Sequence, residues 1–463
     1  MDQRAPRVLF VGRSTAHFSY FESVIAALMG RGADVELLLD EQWSKSWATG
    51  HEDSAIEEFL KAHPGLKIDW LIRRSDSHRN RAFGLRELRA YRSYLVRKET
   101  TPFYVKRWRQ YLTQPYRGWT DSHRFERFLR SPLGEAWLRL QEWKTPPDPR
   151  ITELVRAKAP DVVLICPMNM RFSEETDYAK AARKLGIPVA VTVISWDNLS
   201  TKGLFHVTPD RLFVWNRPQW EDAVEIQKTP KNRLRIAGAP FFDKWFDKTE
   251  GLRPRAEFCA QLGFDPERRI LLYLGSSKNI AKNEAWFVQE VLATLRASAD
   301  ARLRDMQILV RPHPANADIY EALSAPGVRV WPEAGALPET RQGFADMRNS
   351  FAHADAAVGI NTSGMIDAVL AGLPTFSVRI PKYAQTQSDS KHFRYLEAGE
   401  ALYLTDDLAA FEATLAACLN GDDPRLQRRR DFARDFARPQ GLERPAGDVV
   451  AEGVLALAGR GRA

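Results

Sequence analysis

Short apolar runs alternate with amphipathic stretches along most of this chain. The first apolar run, Arg7 to Val11, ends at Gly12, and a helical period follows from Tyr20 to Met29. A second apolar run, Asp34 to Leu39, begins after the Gly30-Arg31-Gly32 stop. Runs of this length are typical of buried strands, and a period near 3.6 residues is typical of helices. The start of the chain is therefore predicted to form a β-α-β unit with a parallel sheet.

The alternation continues in two further groups of apolar runs. The first group lies at Asp161–Cys166, Val189–Ile194, Arg211–Trp215 and Arg235–Ala237. The second group lies at Ile270–Leu274, Gln307–Val310, Val328, Ala356–Ile360 and Pro374–Ile380. A chain of 463 residues is long enough for two domains, each with its own core. We expect an α/β protein with two Rossmann-like domains that face each other across a cleft, over residues 1–245 and 246–463, the second ending in a helical tail.

Residues from about 73 to 145 interrupt this alternation with a segment that looks helical and is crowded with arginine and aromatic residues. The net charge of +8 is unevenly spread, and this segment is strongly basic. Three interpretations stay open: a solvated helical insertion, a surface that meets anionic lipid headgroups, and a nucleic-acid-binding face. No zinc-finger, RRM or helix-turn-helix signature accompanies the segment, so a nucleic-acid partner is not expected.

The cysteine pattern and the hydropathy bear on the cellular compartment. Cys166, Cys259 and Cys418 are widely spaced, which excludes a disulfide framework and a CxxC metal site and fits a reducing compartment. No signal peptide is visible, and no apolar run is long enough to span a bilayer. We expect a cytoplasmic protein, with the basic segment as a candidate peripheral contact with the anionic inner membrane.

Polar and basic residues follow three strands of the second group. Gly275-Ser276-Ser277-Lys278, Arg311-Pro312-His313-Pro314 and Asn361-Thr362-Ser363-Gly364 each stand at the carboxyl end of a predicted strand. Ligands of open parallel sheets bind beyond these ends. Thr362 or Ser363 is a natural N-cap for a helix from Gly364 to Ala371, whose free N–H groups and dipole favour an anion.

These strand ends predict a seat for a phosphate or diphosphate. Its candidate residues are Ser276, Ser277, Lys278, Arg311, His313, Thr362, Ser363 and Gly364. Asp367 stands one turn into the helix, where its carboxylate can bind ribose or sugar hydroxyls. No His/Cys cluster has metal-ligand spacing and no paired-acid motif is evident, so no metal or cofactor is expected.

A second polar motif, Ser195 to Gly203, follows the predicted strand Val189–Ile194 in the first domain. Asp197 can accept a proton from an acceptor hydroxyl, and Trp196, Asn198 and Lys202 can line the acceptor side. The alternative interpretation is a structured turn in which Asp197 and Asn198 bond the backbone.

Several of these motifs resemble a known family. Gly238-Ala239-Pro240, Arg311-Pro312-His313-Pro314, and Asn361 to Gly364 with Gly372-Leu373-Pro374 resemble the nucleotide-binding half of GT-B glycosyltransferases. The pattern is similar to bacterial surface-polysaccharide proteins and, in fold, to CDP-glycerol glycerophosphotransferases and non-hydrolysing UDP-GlcNAc 2-epimerases. The Ser195–Gly203 motif resembles one in surface-carbohydrate biosynthesis proteins.

The resemblance implies a metal-independent glycosyltransferase with an N-terminal acceptor domain and a C-terminal nucleotide-donor domain. Such an enzyme moves a sugar from a nucleotide-activated donor to a growing surface glycan, such as capsule or lipopolysaccharide, on a lipid-linked acceptor. Inverting members often place a base histidine after the first strand, which implies His17 as a second candidate base beside Asp197. Many members carry Glu at the position of Asp367, which is shorter by one methylene.

Two other activities share this fold and one alternative does not. A polyol-phosphate transferase would usually carry a second histidine in the last phosphate loop, and Asn361 to Gly364 has none. Two carboxylates that the epimerases use are not recognisable, which argues against epimerisation. A nucleic-acid-binding protein that uses the basic segment is the remaining alternative.

Overall fold

The structure is a computed structural model that describes residues 4–47, 52–246, 252–336 and 341–460. It divides into two compact units, Met1–Asp243 with Phe436–Ala463, and Lys244–Asp435. The predicted domain boundary lies between residues 245 and 246, and residues 247–251 just after it lie outside the described ranges. Each unit is built on a parallel sheet, so the α/β class with two Rossmann-like sheets is confirmed.

Among the described residues, the first unit forms a seven-stranded sheet in the order β3-β2-β1-β4-β5-β6-β7. Its strands are β1 (Arg7–Gly12), β2 (Asp34–Leu39), β3 (Lys67–Trp70), β4 (Val162–Cys166), β5 (Val189–Thr192), β6 (Arg211–Val214) and β7 (Leu234–Ile236). All neighbouring pairs are parallel. The strand order reverses between β1 and β4, and ligands of doubly wound sheets bind beyond the strand ends at such a switch point.

The second unit forms a six-stranded sheet in its described part, in the order β10-β9-β8-β11-β12-β13. Its strands are β8 (Ile270–Leu274), β9 (Gln307–Arg311), β10 (Val328–Val330), β11 (Ala356–Gly359), β12 (Thr375–Val378) and β13 (Tyr403–Thr405). These pairs are also parallel. The order reverses between β8 and β11, which are two of the three strands predicted to carry phosphate-binding groups.

Helices connect the strands of both sheets. They are α1 (Glu22–Gly30), α2 (Glu41–Trp47), α3 (Glu52–Ala62), α4 (Arg79–Val96), α5 (Pro102–Tyr111), α6 (Tyr116–Trp119), α7 (His123–Arg130), α8 (Pro132–Lys144), α9 (Pro149–Lys158), α10 (Glu175–Lys184), α11 (Asn198–Thr201), α12 (Arg217–Glu225), α13 (Arg255–Leu262), α14 (Ala285–Ala297), α15 (Ala301–Arg304), α16 (Arg341–His353), α17 (Gly364–Leu370), α18 (Phe393–Ala398), α19 (Leu408–Leu419), α20 (Leu426–Phe432) and α21 (Ala446–Arg460). Short 3₁₀ turns lie at Thr15–Tyr20, Lys231–Arg233, Pro240–Phe246, Pro314–Tyr320 and Pro381–Thr386, and a π-turn lies at Ala433–Ala437. Within the described ranges, no helix is both long and apolar enough to cross a membrane.

The sequence pattern missed the two edge strands β3 and β13. Three of the four residues of β3 are exposed, and Trp70 is 46% exposed. By contrast, every residue of β4 and of β8 is buried. A strand as exposed as β3 shows no apolar run, so hydrophobic patterning does not reveal it. β13 is largely buried but only three residues long, which is too short to form a recognisable run.

Residues 79–144 form a helical insertion, α4 to α8, with a core of its own. That core includes Leu88, Tyr91, Trp108 and Leu138. Several of the insertion's arginines are used internally. Arg86, for example, is 3% exposed and pairs with the carboxylates of Glu142 and Asp177. The number of arginines in the sequence therefore overstates the charge that this segment presents to solvent.

The C-terminal helix α21 packs in the first unit, although the predicted second domain spans residues 246–463. The resemblance to GT-B proteins also implies that C-terminal helices can pack back on the first domain. Val450 and Val454 of α21 are buried in one hydrophobic cluster with Val24 and Leu28 of α1. The start of α21 is held by Asp243, whose carboxylate accepts hydrogen bonds from the backbone N–H groups of residues 446 and 447, each at 2.9 Å. The tail joins the first unit because its apolar face completes that core.

Removing the Asp243 carboxylate should destabilise the first unit. Asp243 also pairs with the buried guanidinium of Arg438 at 3.0 Å, so Asp243→Ala leaves a buried cation without its partner. We expect a loss of about 3–5 kcal/mol in the free energy of unfolding, measured by tryptophan fluorescence in urea. Asp448→Ala, on helix α21, breaks a partly exposed ion pair with Arg31 and should cost less than about 1 kcal/mol in the free energy of unfolding. Equal losses in the two variants would contradict this assignment.

Candidate functional site

Two glycines bring the three strand ends of the second unit close together. A Cβ on Gly275 would lie 3.1 Å from both the carbonyl oxygen of Arg311 and the backbone nitrogen of His313. A Cβ on Gly359 would lie 2.9 Å from the carbonyl oxygen of Leu274. Both distances are shorter than ordinary contacts, so a side chain at either position would push the strands apart. The structure thus brings the ends of β8, β9 and β11 together, as the strand order requires.

His313 is held in one tautomer by its own turn. Its Nδ1 accepts a hydrogen bond from the backbone N–H of Ala315 at 3.1 Å, at the start of the 3₁₀ turn Pro314–Tyr320. Burial lowers the pKa of His313, so the ring is neutral near pH 7. A neutral imidazole whose Nδ1 accepts carries its proton on Nε2. The half-buried His313 therefore offers one N–H donor that its own turn does not use.

Arg311 is turned against helix α16. Its side chain is 6% exposed and donates to Ser350 Oγ at 2.9 Å. Burial lowers the pKa of Arg311 to about 10, and nearby Asp346 partly opposes this effect. Its second terminal nitrogen is buried and has no hydrogen-bond partner among the described residues. Arg311 is therefore a buried cation with one unused donor.

The loop after β8 is braced from beneath by Glu284. The carboxylate of Glu284 accepts hydrogen bonds from the backbone N–H of Ser276 and from the hydroxyls of Tyr320 and Tyr273. The Ser276 hydroxyl is buried and has no partner in the described part of the chain, while Ser277 is half-buried. Lys278 points to the surface and pairs with the exposed Asp318 at 3.1 Å. The positive charge of Lys278 is thus already balanced by a neighbouring carboxylate.

The turn after β11 leads into the seven-residue helix α17. Ser363 is the N-cap residue of α17 and is exposed, and its side chain makes no capping hydrogen bond. Thr362 Oγ1 accepts from the backbone N–H of Gly364 at 3.4 Å. Asn361 lies beneath the turn and is buried. Its side-chain amide donates to the carbonyl of Thr386 at 2.6 Å and lies 3.4 Å from Nε2 of His392. The structure therefore places a histidine, which the sequence analysis did not include in the site, beside this loop.

Asp367 is less accessible than the sequence analysis expected. It is 2% exposed, and its carboxylate accepts a hydrogen bond from the indole N–H of Trp245 at 2.6 Å. Burial raises the pKa of Asp367 to about 7, against the opposing effects of Lys244 and of the Trp245 hydrogen bond. Any role in binding ribose hydroxyls would have to compete with this indole.

The raised pKa of Asp367 predicts a stability that falls as pH rises. The unfolded-state pKa of an aspartate is about 3.9, so between about pH 4 and 7 the folded state binds the additional proton. Asp367→Asn removes this titration. Relative to the wild type, we expect the melting temperature of Asp367→Asn to rise from pH 5 to 7 and then level off. The corresponding change in the free energy of unfolding should be roughly 1–3 kcal/mol. Asp305→Asn, at an exposed carboxylate of the same unit, should show no such trend, and parallel melting profiles for Asp367→Asn and the wild type would contradict the raised pKa.

In the first unit, Ser195–Gly203 forms a compact turn that contains the short helix α11. Both carboxylate oxygens of Asp197 are occupied: Ser195 Oγ donates to one at 2.6 Å, and Thr201 Oγ1 and Lys202 Nζ reach the other at 2.7 and 3.0 Å. Trp196 is 7% exposed and Asn198 is 1% exposed. This geometry is a turn organised around the Asp197 carboxylate, whose partners here are side chains of the turn and not the backbone groups of the alternative interpretation.

The helical insertion holds this turn in place. Arg97 donates to the carbonyl of Ser200 at 2.7 Å, and the Tyr94 hydroxyl donates to the carbonyl of Lys202 at 2.8 Å. Trp108 donates to the carbonyl of Thr201 at 3.3 Å. Sequence reasoning did not connect the insertion with the motif, because these partners lie about a hundred residues apart.

His17 lies in the 3₁₀ turn that follows β1, next to the switch point of the first sheet. Burial, and to a lesser extent the positive charge of Arg13, lower the pKa of His17 to about 3. Its Nδ1 is buried and has no partner within the described ranges. The ring is thus neutral at physiological pH, and its Nδ1 is not engaged by the surrounding residues that the structure describes.

Glu87 of α4 is a candidate that sequence reasoning missed. It is 4% exposed and accepts from the backbone N–H of Phe172 at 3.2 Å, beyond the end of β4. Burial raises the pKa of Glu87 to about 7, although Arg171 and Arg13 oppose the shift. A carboxyl that titrates near neutral pH is suited to proton transfer. Nothing in the pattern of an amphipathic helix distinguishes such a residue from a surface acid.

No protein-family model matches this chain, and no curated protein matches its sequence. Solved structures are similar to it in fold. The UDP-GlcNAc 2-epimerase from Neisseria meningitidis is 12% identical, with 97% of this chain and 100% of that chain covered and a TM-score of 0.54. The epimerase from Methanocaldococcus jannaschii is 13% identical, with 97% and 99% covered and a TM-score of 0.54. The calicheamicin glycosyltransferase CalG4 is 14% identical, with 99% of each chain covered and a TM-score of 0.51.

These likenesses show the fold. The chain has a GT-B-like fold, so the resemblance of its motifs to GT-B proteins is confirmed at that level. In the part of the chain that the structure describes, no group of three or more His, Cys, Asp or Glu side chains is arranged to hold a metal ion.

Proposed function

We propose that the protein is a glycosyltransferase that takes a sugar from a nucleoside diphosphate donor seated at the ends of β8, β9 and β11. The observation that carries this proposal is the set of unused donors at these adjacent strand ends. They are the Nε2–H of His313, the buried second nitrogen of Arg311 and the hydroxyl of Ser276. An anionic group is the natural partner for such donors, because buried polar groups require a partner.

The nucleotide sugar is supported by the structurally similar proteins. The N. meningitidis epimerase of this fold was solved bound to UDP-GlcNAc, and CalG4 is a glycosyltransferase. In this proposal Thr362, Ser363 and Gly364 meet the diphosphate at the start of α17, and Ser277 and Lys278 line its other side. Transfer then requires neutralisation of the departing diphosphate, which His313 and Arg311 supply without a metal.

The acceptor is proposed to be a growing bacterial surface glycan. This rests on the resemblance of the Ser195–Gly203 motif to surface-carbohydrate biosynthesis proteins. In the proposal, Trp196, Asn198 and Lys202 shape the acceptor side through the turn they belong to, because two of them are buried and the third pairs with Asp197.

For the proton of the acceptor hydroxyl, we favour His17 over Asp197 as the base. His17 is neutral and keeps an unpartnered Nδ1, whereas the Asp197 carboxylate already meets two hydroxyls and an ammonium. An acceptor hydroxyl would therefore have to displace one of these donors before it could hydrogen-bond to Asp197. Asp197 then acts as a positioning residue for the turn.

Replacing His313 should weaken nucleotide binding. A hydrogen bond to a charged group is worth about 1.5–3 kcal/mol, so His313→Ala should raise the Kd for UDP by about 10- to 100-fold. Thermal-shift screens with UDP, CDP and GDP identify the nucleotide, and calorimetric titration measures its Kd. EDTA should leave the Kd unchanged.

Two comparisons make this test specific. His123→Ala, at an exposed histidine of the first unit, should bind the nucleotide as the wild type does. An unchanged Kd in His313→Ala would remove His313 from the site, and the absence of any nucleotide-induced shift in the wild type would refute the proposed donor seat.

Replacing the base should cut turnover without changing donor affinity. A general base contributes about 10²–10⁴-fold, so His17→Ala should lower kcat by that factor while the KM for the donor stays within about twofold. Asp197→Asn should lower kcat less and should lower the melting temperature, because Lys202 loses its ion pair. The release of nucleotide from the identified donor provides the assay.

The two variants also separate the alternatives. Added imidazole should partly restore His17→Ala if the ring is the base. A larger loss in Asp197→Asn, with an unchanged melting temperature, would assign the base to Asp197. Losses below threefold in both variants would eliminate both residues.

A polyol-phosphate transferase is the second candidate function, and one observation favours it. Such an enzyme usually has a second histidine in the last phosphate loop, and His392 lies 3.4 Å from Asn361 at that loop although it is distant in sequence. Polyol-phosphate transfer breaks the phosphoanhydride bond of a CDP-polyol and releases CMP, whereas sugar transfer releases a nucleoside diphosphate. Preferential stabilisation by CMP, added to the nucleotide screen, over UDP, CDP and GDP would therefore support this activity over sugar transfer.

A further inference from the structure

Helix α8 is apolar on two opposite sides. Leu138 is 1% exposed and belongs to the core of the insertion. On the other side, Leu133 is 73% exposed, Leu140 is 44% exposed and Trp143 is 78% exposed. Their spacings of seven and three residues place them on one face of the helix. Neighbouring large apolar side chains this exposed mark an interaction surface rather than the scattered apolar residues of an ordinary surface.

A row of aromatic rings extends this face onto the preceding helices. Ring centroids are 5.9 Å apart between Trp137 and Phe128, 6.1 Å between Phe128 and Phe125, and 5.5 Å between Phe125 and Trp119. Trp119 is 41% exposed, and the other three rings are partly buried. Phe125 and Trp137 also pack against the core of the insertion, so they contribute only their exposed edges. We call this set the α7–α8 surface: Trp119, Phe125, Phe128, Leu133, Trp137, Leu140 and Trp143.

Unpaired cations accompany the α7–α8 surface. Exposed cations on the same helices that form no ion pair among the described residues are Arg117, Arg124, Arg127 and Lys144. The acids nearby are already paired: Asp121 with Arg109, Glu126 with Arg130, and Glu135 with Arg89, Arg92 and Arg139. The surface therefore combines exposed apolar side chains with uncompensated positive charge.

We propose that the α7–α8 surface docks this protein on an anionic lipid bilayer. Tryptophan, phenylalanine and leucine enter the boundary between headgroups and acyl chains, while arginine and lysine meet anionic headgroups. The contact is peripheral and goes beyond the proposed sugar transfer, because it involves no nucleotide. Arg109 contributes little to it, since it pairs with Asp121.

Two other occupants fit this surface less well. A second copy docking through the same surface would bring like charges against each other, because a two-fold interface is self-complementary. A nucleic acid would use the cations but would leave Leu133 and Leu140 without a role.

Co-sedimentation with vesicles tests the proposal on the full chain. Vesicles that contain phosphatidylglycerol and phosphatidylcholine should sediment the protein, and added salt should release it in part. The double variant Arg124→Gln/Arg127→Gln should bind about 25-fold more weakly, which is about fivefold for each cation. The double variant Leu133→Ser/Trp143→Ser should also bind more weakly, and this loss should persist at every salt concentration.

Matched controls come from the same unit. Arg183→Gln/Lys184→Gln removes two neighbouring exposed cations from α10, and Trp70→Ser removes a tryptophan that is 46% exposed. Both should bind vesicles as the wild type does. The melting temperature of each variant checks that it is folded. The shift of that temperature on adding nucleotide checks the donor seat, so a loss of vesicle binding can be told apart from a loss of nucleotide binding.

Each other outcome overturns the proposal. Absence of wild-type binding at low salt, or equal binding to pure phosphatidylcholine, excludes an anionic bilayer. Loss of binding in the charge variant alone, with Leu133→Ser/Trp143→Ser unaffected, indicates a general polyanion site. Self-association of the wild type without lipid, abolished by Leu133→Ser/Trp143→Ser, assigns the surface to a second copy.

Discussion

Much of the first unit depends on one buried carboxylate, that of Asp177. It accepts from Arg74 at 2.7 Å and from Arg86 at 2.9 and 3.1 Å, and Arg86 also reaches Glu142 of α8. Removing one partner of a buried pair leaves an uncompensated charge, which typically costs about 3–5 kcal/mol. These bonds therefore fix α4 and α8 of the insertion against α10, so the insertion is attached by more than its chain ends.

The fixed insertion has two consequences, one on each side. On its inner side, Tyr94, Arg97 and Trp108 hydrogen-bond the turn at residues 200–202, so the conformation of that turn depends on the insertion. On its outer side, α8 has no apolar partner and leaves Leu133 and Trp143 exposed. Buried arginines that pair internally cannot attract a polyanion, so only the exposed cations of the insertion are available for one, including Arg124 and Arg127 on α7.

Central strands were predictable from the sequence, and long-range polar partners were not. β4 and β8 are buried along their whole length, so each reads as a continuous apolar run. The strand ends and their polar loops follow from that pattern. The partner of Asp367, in contrast, is Trp245, which lies 122 residues away. Hydrophobic periodicity reports which side of an element is buried, and it carries no information about which distant polar group meets it.

Hydrogen-bond satisfaction separates the two polar motifs that the sequence made look alike. A structured turn uses its donors and acceptors internally, whereas a binding site keeps some for its ligand. The Asp197 carboxylate has its oxygens occupied by neighbours in its own turn. At the ends of β8 and β9, Ser276 and Arg311 keep buried polar atoms without partners in the described part of the chain. An anion that bound there would supply the missing hydrogen bonds and offset the cost of burying these groups. This difference supports the proposal that the second unit binds the ligand and that Asp197 positions its turn.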